Sequence, residues 1–117
     1  MNLMIEERPD GVAVVSWGER TALDASNADE LRRRVGDVQA HCARLIFDMS
    51  QVDFIDSSII GALVGFLRRT RAAGGDTKLA GITPDVETIF EVTRLQRVFS
   101  IHPSVSAAAA EFGTAAS

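Results

Sequence analysis

Only one cysteine, Cys42, and one lysine, Lys78, occur in this chain of 117 residues. A single thiol cannot form an intrachain disulfide, which suits a reducing compartment. Long hydrophobic runs are missing too. The longest, Ile59 to Leu67, is far short of the roughly 20 residues that cross a bilayer. The first residues, "MNLMIEERPD", have neither a basic start nor an apolar core, so no signal peptide is expected and the protein reads as cytoplasmic. Positive charge is in deficit: 12 Lys and Arg face 16 Asp and Glu, for a net charge of −4. A net acidic surface repels phosphate backbones and anionic lipid heads, so nucleic acid and membrane partners are not expected. Catalytic signatures are equally scarce. No G-x-S-x-G elbow is present, His41 and His102 have no motif partner, and no Cys/His cluster has metal spacing. No glycine loop is built to cradle phosphates. The expectation is a protein that is not an enzyme and carries no metal or cofactor.

What remains is the composition of one ordinary globular domain, 46% hydrophobic and 24% charged. A chain of this length buries about two-thirds of its unfolded surface and needs no staple. "NLMIEE" and "VAVVSW" read as a hairpin across the turn "RPDG", and "GERTALDA" as irregular. Ser26 reads as an N-cap with Asp29 three residues on. The helix behind it places Ala28, Leu31, Val35 and Val38 on its apolar face, with Arg32, Arg33, Arg34 and Asp37 solvated. "ARLIFDMS" carries the continuous run Leu45-Ile46-Phe47, the mark of a strand covered on both faces. A helix is predicted from Ser57 or Ser58 to about Ala73, stopped by Gly74-Gly75. "TKLAGI" is the next strand. Thr83 then caps a helix that has Pro84 at its first position and runs to about Leu95. "QRVFSIH" is a last strand, and Pro103 opens a final helix. The order β-β-α-β-α-β-α-β-α predicts an α/β fold with a mixed, mostly parallel sheet and about four helices. One domain is expected over residues 1–112, with a loose tail at 113–117.

The stretch "FIDSSIIGALVGFLRR" is the unusual one. Ile59, Ile60, Leu63, Phe66 and Leu67 form a buried stripe, while Ser58, Gly61, Ala62, Gly65 and Arg69 recur on the opposite side. On this spacing Ser58 aligns with the small residues and Ser57 lies one position off. Each interior glycine costs about 1 kcal/mol relative to alanine. Either these glycines let another element of the same chain pack closely, or they keep a flat face open for a second protein. Any of Asp56, Ser57 and Ser58 can cap the helix. One cap suffices, so a spare hydroxyl is available as a phosphoacceptor. Phosphorylation there adds about −1.5 to −2 charges, and backbone N–H groups at a helix start tolerate an anion.

Residues 44–110, with "LIFDMS", "FIDSS", the glycine-bearing helix, the Gly-Gly strand entry, the Thr-Pro helix and "VFSIH", resemble the STAS domain, and within it the bacterial anti-sigma factor antagonists. "LDASNADELRRRV" resembles the segment before the first helix of that family. The resemblance implies a single STAS domain that binds an anti-sigma factor in its unphosphorylated form and releases it after phosphorylation by that partner's serine kinase activity, with a serine phosphatase resetting the switch. It implies Ser58 as the acceptor, with Ser57 as the alternative. The predicted partner-binding set is Asp24, Asp56, Ser57, Ser58, Gly61, Ala62 and Gly65. Where the family has glycine after the two hydroxyl residues this chain has Ile59, a bulky residue expected to crowd the helix start. Relatives without a phosphorylation cycle serve as scaffolds or as subunits of regulatory or transport complexes, which is the alternative reading. A phospho-receiver is a further rival, but the acidic pair such domains carry after the first strand is missing. Asp48 is therefore read as a turn cap.

Overall fold

The computed structural model describes residues 1–113. The order of elements is β1 (Leu3–Glu7), β2 (Ala13–Trp17), β3 (Thr21–Leu23), α1 (Ala25–Gln39), β4 (Arg44–Asp48), β5 (Val52–Ile55), α2 (Ser57–Ala72), β6 (Asp76–Ala80), α3 (Pro84–Thr93), a short 3-10 turn (Leu95–Arg97), β7 (Ser100–His102) and α4 (Val105–Phe112). Five strands form one sheet in the order β1-β2-β4-β6-β7. The β1–β2 hairpin is antiparallel, and every other pair in this sheet is parallel. The α/β architecture, its mostly parallel sheet and its four helices are as the sequence predicted. The expected tail at 113–117 lies outside the described residues except for Gly113, which caps α4 with a φ of 68°.

Side chains alternate across the sheet and divide the core in two. Ala13, Val15, Trp17, Leu45, Phe47 and Leu79 face α1, α2 and α3, which contribute Leu31, Val35, Ile59, Leu63, Phe66, Val86 and Phe90. Val12, Val14, Ile46 and Ala80 face the other way, under Ala108 of α4. Leu45, Ile46 and Phe47 are all fully buried, which is why that strand reads as unbroken apolar sequence rather than as an alternation. Gly75 has a steric role. A Cβ there would meet the Ala43 carbonyl oxygen at 1.8 Å, so only glycine lets the chain leave α2 and enter β6 beside β4.

Several boundaries differ from the sequence reading. The cap of α1 is Asp24, not Ser26: Asp24 accepts from Ser26 N–H, and the Asn27 side chain rather than Asp29 returns a bond to the Asp24 backbone N–H. "TAL" is strand β3, and it pairs in parallel with β5, another strand the spacing did not reveal. The last strand covers only Ser100–His102, because Arg94 takes a left-handed conformation (φ 61°) and Leu95–Arg97 coil into the 3-10 turn. The final helix begins at Val105 with Ser104 as its cap, not at Pro103. Asp48 accepts from Ser50 N–H and closes a turn, as expected.

Phe66 stacks on Phe47 with ring centroids 5.6 Å apart, and neither ring is exposed. Phe66→Ala is expected to cost about 3–5 kcal/mol of unfolding free energy through lost transfer and a residual cavity. Urea titration followed by circular dichroism measures it.

Candidate functional site

The small β3–β5 sheet builds the site. Its two strands are parallel, with Leu23 opposite Ile55. Each strand is followed at once by an aspartate and then by a helix, so Asp24 and Asp56 emerge side by side and each caps the helix behind it. Asp56 does more than cap. One carboxylate oxygen accepts from Ile59 N–H at 3.1 Å and the other from Ala25 N–H at 3.0 Å. Its own N–H donates to the Leu23 carbonyl at 3.3 Å. One carboxylate thus joins the starts of α1 and α2, and the free N–H groups at both ends favour its negative charge.

From this junction the two helices run side by side in the same direction. Arg32 Nη2 of α1 donates to the Ser58 carbonyl at 3.4 Å, and Gln39 Nε2 donates to the Phe66 carbonyl at 2.9 Å. Arg69 Nε in turn donates to Gln39 Oε1 at 3.0 Å. The sequence reading put Arg32 on a solvated face. It is indeed exposed, but it sits on the edge of α1 that meets α2, a position only the parallel pairing of the two helices reveals. Gln39 was not singled out at all, because nothing marks it until Phe66 is opposite.

Ser57 is exposed and Ser58 half-buried. Among the described residues neither hydroxyl has an intramolecular hydrogen-bond partner, since Asp56 has already taken the cap. Gly61 is exposed, and a Cβ placed on it would meet nothing within 4 Å. At Gly65 a Cβ would meet only the Arg69 guanidinium, at 3.8 Å. Among the described residues no other element of the chain packs closely on either glycine; the face is open at Gly61 and flanked by the Arg69 side chain at Gly65.

Two expectations change at this point. Ala62 is 2% exposed and belongs to the core, so it is not on the open face: four residues beyond Ser58, it falls under α1. The row that lies in the open is Ser57 and Gly61, continued by the half-buried Gly65 beside the Arg69 guanidinium, with Ser58 on its α1-side flank. The spacing argument that set Ser58 above Ser57 therefore does not hold in three dimensions. Ile59, by contrast, is fully buried beneath the helix. Its bulk points into the core and leaves the surface around the two serines clear.

The Ser26 hydroxyl and then the Ser26 backbone N–H hold the Asp24 carboxyl below the usual carboxylate range. His41 pairs with Glu7 and His102 with Ser100, both on other parts of the surface. Among the described residues no helix is long and apolar enough to cross a membrane.

Comparison with known proteins gives a consistent result. A family model described as the STAS domain matches residues 6–108. An anti-sigma F factor antagonist of Paenibacillus polymyxa is 25% identical over 105 residues, covering 87% of this chain and 88% of that protein. The anti-sigma-B factor antagonist of Bacillus subtilis is 24% identical over 101 residues, covering 86% and 90%. The unphosphorylated form of the anti-sigma factor antagonist SpoIIAA superposes with a TM-score of 0.80 at 20% identity, covering 93% of this chain and 94% of that one. Its phosphorylated form from Bacillus superposes with a TM-score of 0.72.

Two outcomes test the junction. Asp56→Ala removes a cap and the link to α1 and is expected to cost about 1–2 kcal/mol, read from the urea midpoint. The second concerns Asp24. A depressed folded value means its contribution is fully present above the unfolded aspartate value of about 3.9 and is lost as pH falls through the lower folded value. Asp24→Asn is therefore expected to be less stable than the parent at neutral pH, with the gap narrowing as acid titrates the parent's carboxylate; thermal melts across that range measure it.

Proposed function

This chain belongs to the STAS-domain family, and from that premise we propose that it is an anti-sigma factor antagonist switched off by phosphorylation at Ser58. In its unphosphorylated form it binds an anti-sigma factor that is also a serine kinase. Asp24, Asp56, Ser57, Ser58, Gly61 and Gly65 make the docking surface, and the protein acts in the cytoplasm as a substrate rather than an enzyme. Transfer of the ATP γ-phosphoryl group to Ser58 Oγ breaks the terminal phosphoanhydride bond. It forms the serine phosphate ester and releases ADP and the hydroxyl proton. A serine phosphatase reverses the state.

The observation that carries this reading is the open flank at Gly61. A glycine inside an exposed helix position costs stability, and here no neighbouring atom requires it. A surface kept bare at a cost to the fold serves something outside the fold. Directly beside it lie two serines whose hydroxyls are not used internally, on a helix whose cap is already supplied by Asp56. The names of the two curated relatives supply the partner class. The existence of SpoIIAA in a phosphorylated form supports the switch in a protein of this fold. A phosphate adds about −1.5 to −2 charges next to the Asp24 and Asp56 carboxylates, which concentrates negative charge where a partner must sit.

Gly61→Ala separates stability from binding. The folded chain should gain about 0.5–1 kcal/mol, because helix propensity rises and the methyl group meets no clash, while calorimetric affinity for the cognate anti-sigma factor falls. Undiminished affinity for both Gly61→Ala and a bulkier Gly61→Leu would remove the ridge from the interface. Ser58→Ala is expected to bind constitutively. Ser58→Glu should bind about tenfold more weakly or worse, a loss of at least roughly 1.4 kcal/mol. If only Ser57→Glu has that effect, the acceptor is Ser57.

A further inference from the structure

Arg32 is placed to do something the family resemblance does not mention. Its guanidinium crosses the seam between α1 and α2 and already touches Ser58, through Nη2 to the backbone carbonyl at 3.4 Å. Its other contact is weak: Nη1 lies 3.8 Å from Asp29 Oδ1, with the Arg32 side chain 47% exposed and the Asp29 side chain fully so. An exposed pair at that distance contributes little and is readily given up. The surroundings do not obstruct a swing. One turn further along α1, Gly36 presents nothing within 4 Å of a would-be Cβ, and neither does Gly61 across the seam.

We propose that Arg32 is the built-in receptor for a phosphoryl group on Ser58. The inference rests on Ser58 being the acceptor. A phosphate ester on Ser58 leans toward the start of α2, away from the carbonyl that Arg32 contacts, and that is the end toward which Arg32 Nη1 already extends to Asp29 on the parallel helix α1. The planar fork of arginine matches a phosphate with two parallel N–H···O bonds, which a lone ammonium does not. Arg32 exchanges the single loose contact with Asp29 for a dianion on its own doorstep. The result is a phosphate held down across the α1–α2 seam, beside the open flank of Gly61. The off state is then one ordered arrangement rather than a free charge.

The charged groups around Ser58 make the idea decidable. Asp24 and Asp56 at the junction and Asp29 on α1 are anionic, and acting alone they oppose the second ionisation of the phosphate. Arg32 favours it. The experiment uses the full chain with phosphoserine installed genetically at position 58, so no kinase is required, and titrates the phosphate by phosphorus NMR. The parent should titrate at least about 0.5 unit lower than Arg32→Gln, roughly a threefold difference in proton affinity. Arg33→Gln, which removes the same charge from the neighbouring exposed position, should match the parent. Equal values for the parent and Arg32→Gln would overturn the proposal, as would an equal shift from Arg33→Gln, which would indicate only a general charge effect. The two readings fail separately. If the titration does not move but the phosphorylated chain still loses its partner, the receptor is wrong and the switch stands. If it moves and the partner still binds, the switch is wrong and the receptor stands.

Discussion

The carboxylate of Asp56 is the joint on which the site depends. Its two oxygens serve the first turns of two different helices, Ile59 N–H in α2 and Ala25 N–H in α1. That double use is possible only because β3 and β5 are parallel and, past a register shift between Thr21 and Ala22, end level with Leu23 opposite Ile55, so that two strand–aspartate–helix units start from the same place. Everything at the site inherits this alignment. The helices run side by side, Arg32 lands on Ser58, and Gln39 lands on Phe66. The serines are freed from capping because an aspartate has already done it.

The same arrangement explains how a surface can be both rigid and reserved. Below it, Ile59, Ala62, Leu63 and Phe66 are locked into the main core. Above it, Ser57 and Gly61 are exposed and carry almost nothing, and only the Arg69 guanidinium lies over Gly65. A rigid, nearly bare ridge loses little conformational entropy when a partner covers it. The exposed row and the buried stripe occupy opposite faces of one helix, so a change on the outer face need not disturb the core.

Some of this was legible in the residues. The run Leu45-Ile46-Phe47 announced a strand covered on both faces, and the Thr83-Pro84 pair announced a helix start, as found. The glycines of α2 raised a choice between close internal packing and an open docking face, and the empty space at Gly61 removes the first for that residue among the described ones. The small sheet was not legible, because β3 spans three residues and its partner is some thirty positions away. Nothing local in "GERTALDA" signals a pairing that distant. The capping of α1 was misassigned for a related reason. Ser26 and Asp24 are both good caps, and the choice is made where the β3 strand ends.

Periodicity along the chain determined which face of α2 enters the core, because a 3.6-residue repeat needs no knowledge of what lies beneath it. The motifs spread over residues 44–110, and not the composition, carried the resemblance to the family. What only the tertiary structure decided was the edge between those two faces. Ala62 and Ser58 share one row, and so do Ser57 and Gly61. Which row stays open is set by where α1 lies, and α1 lies where a carboxylate 31 residues away in sequence binds its first turn. A helical wheel has no neighbour on it, and the neighbour is what separates a buried alanine from a bare glycine.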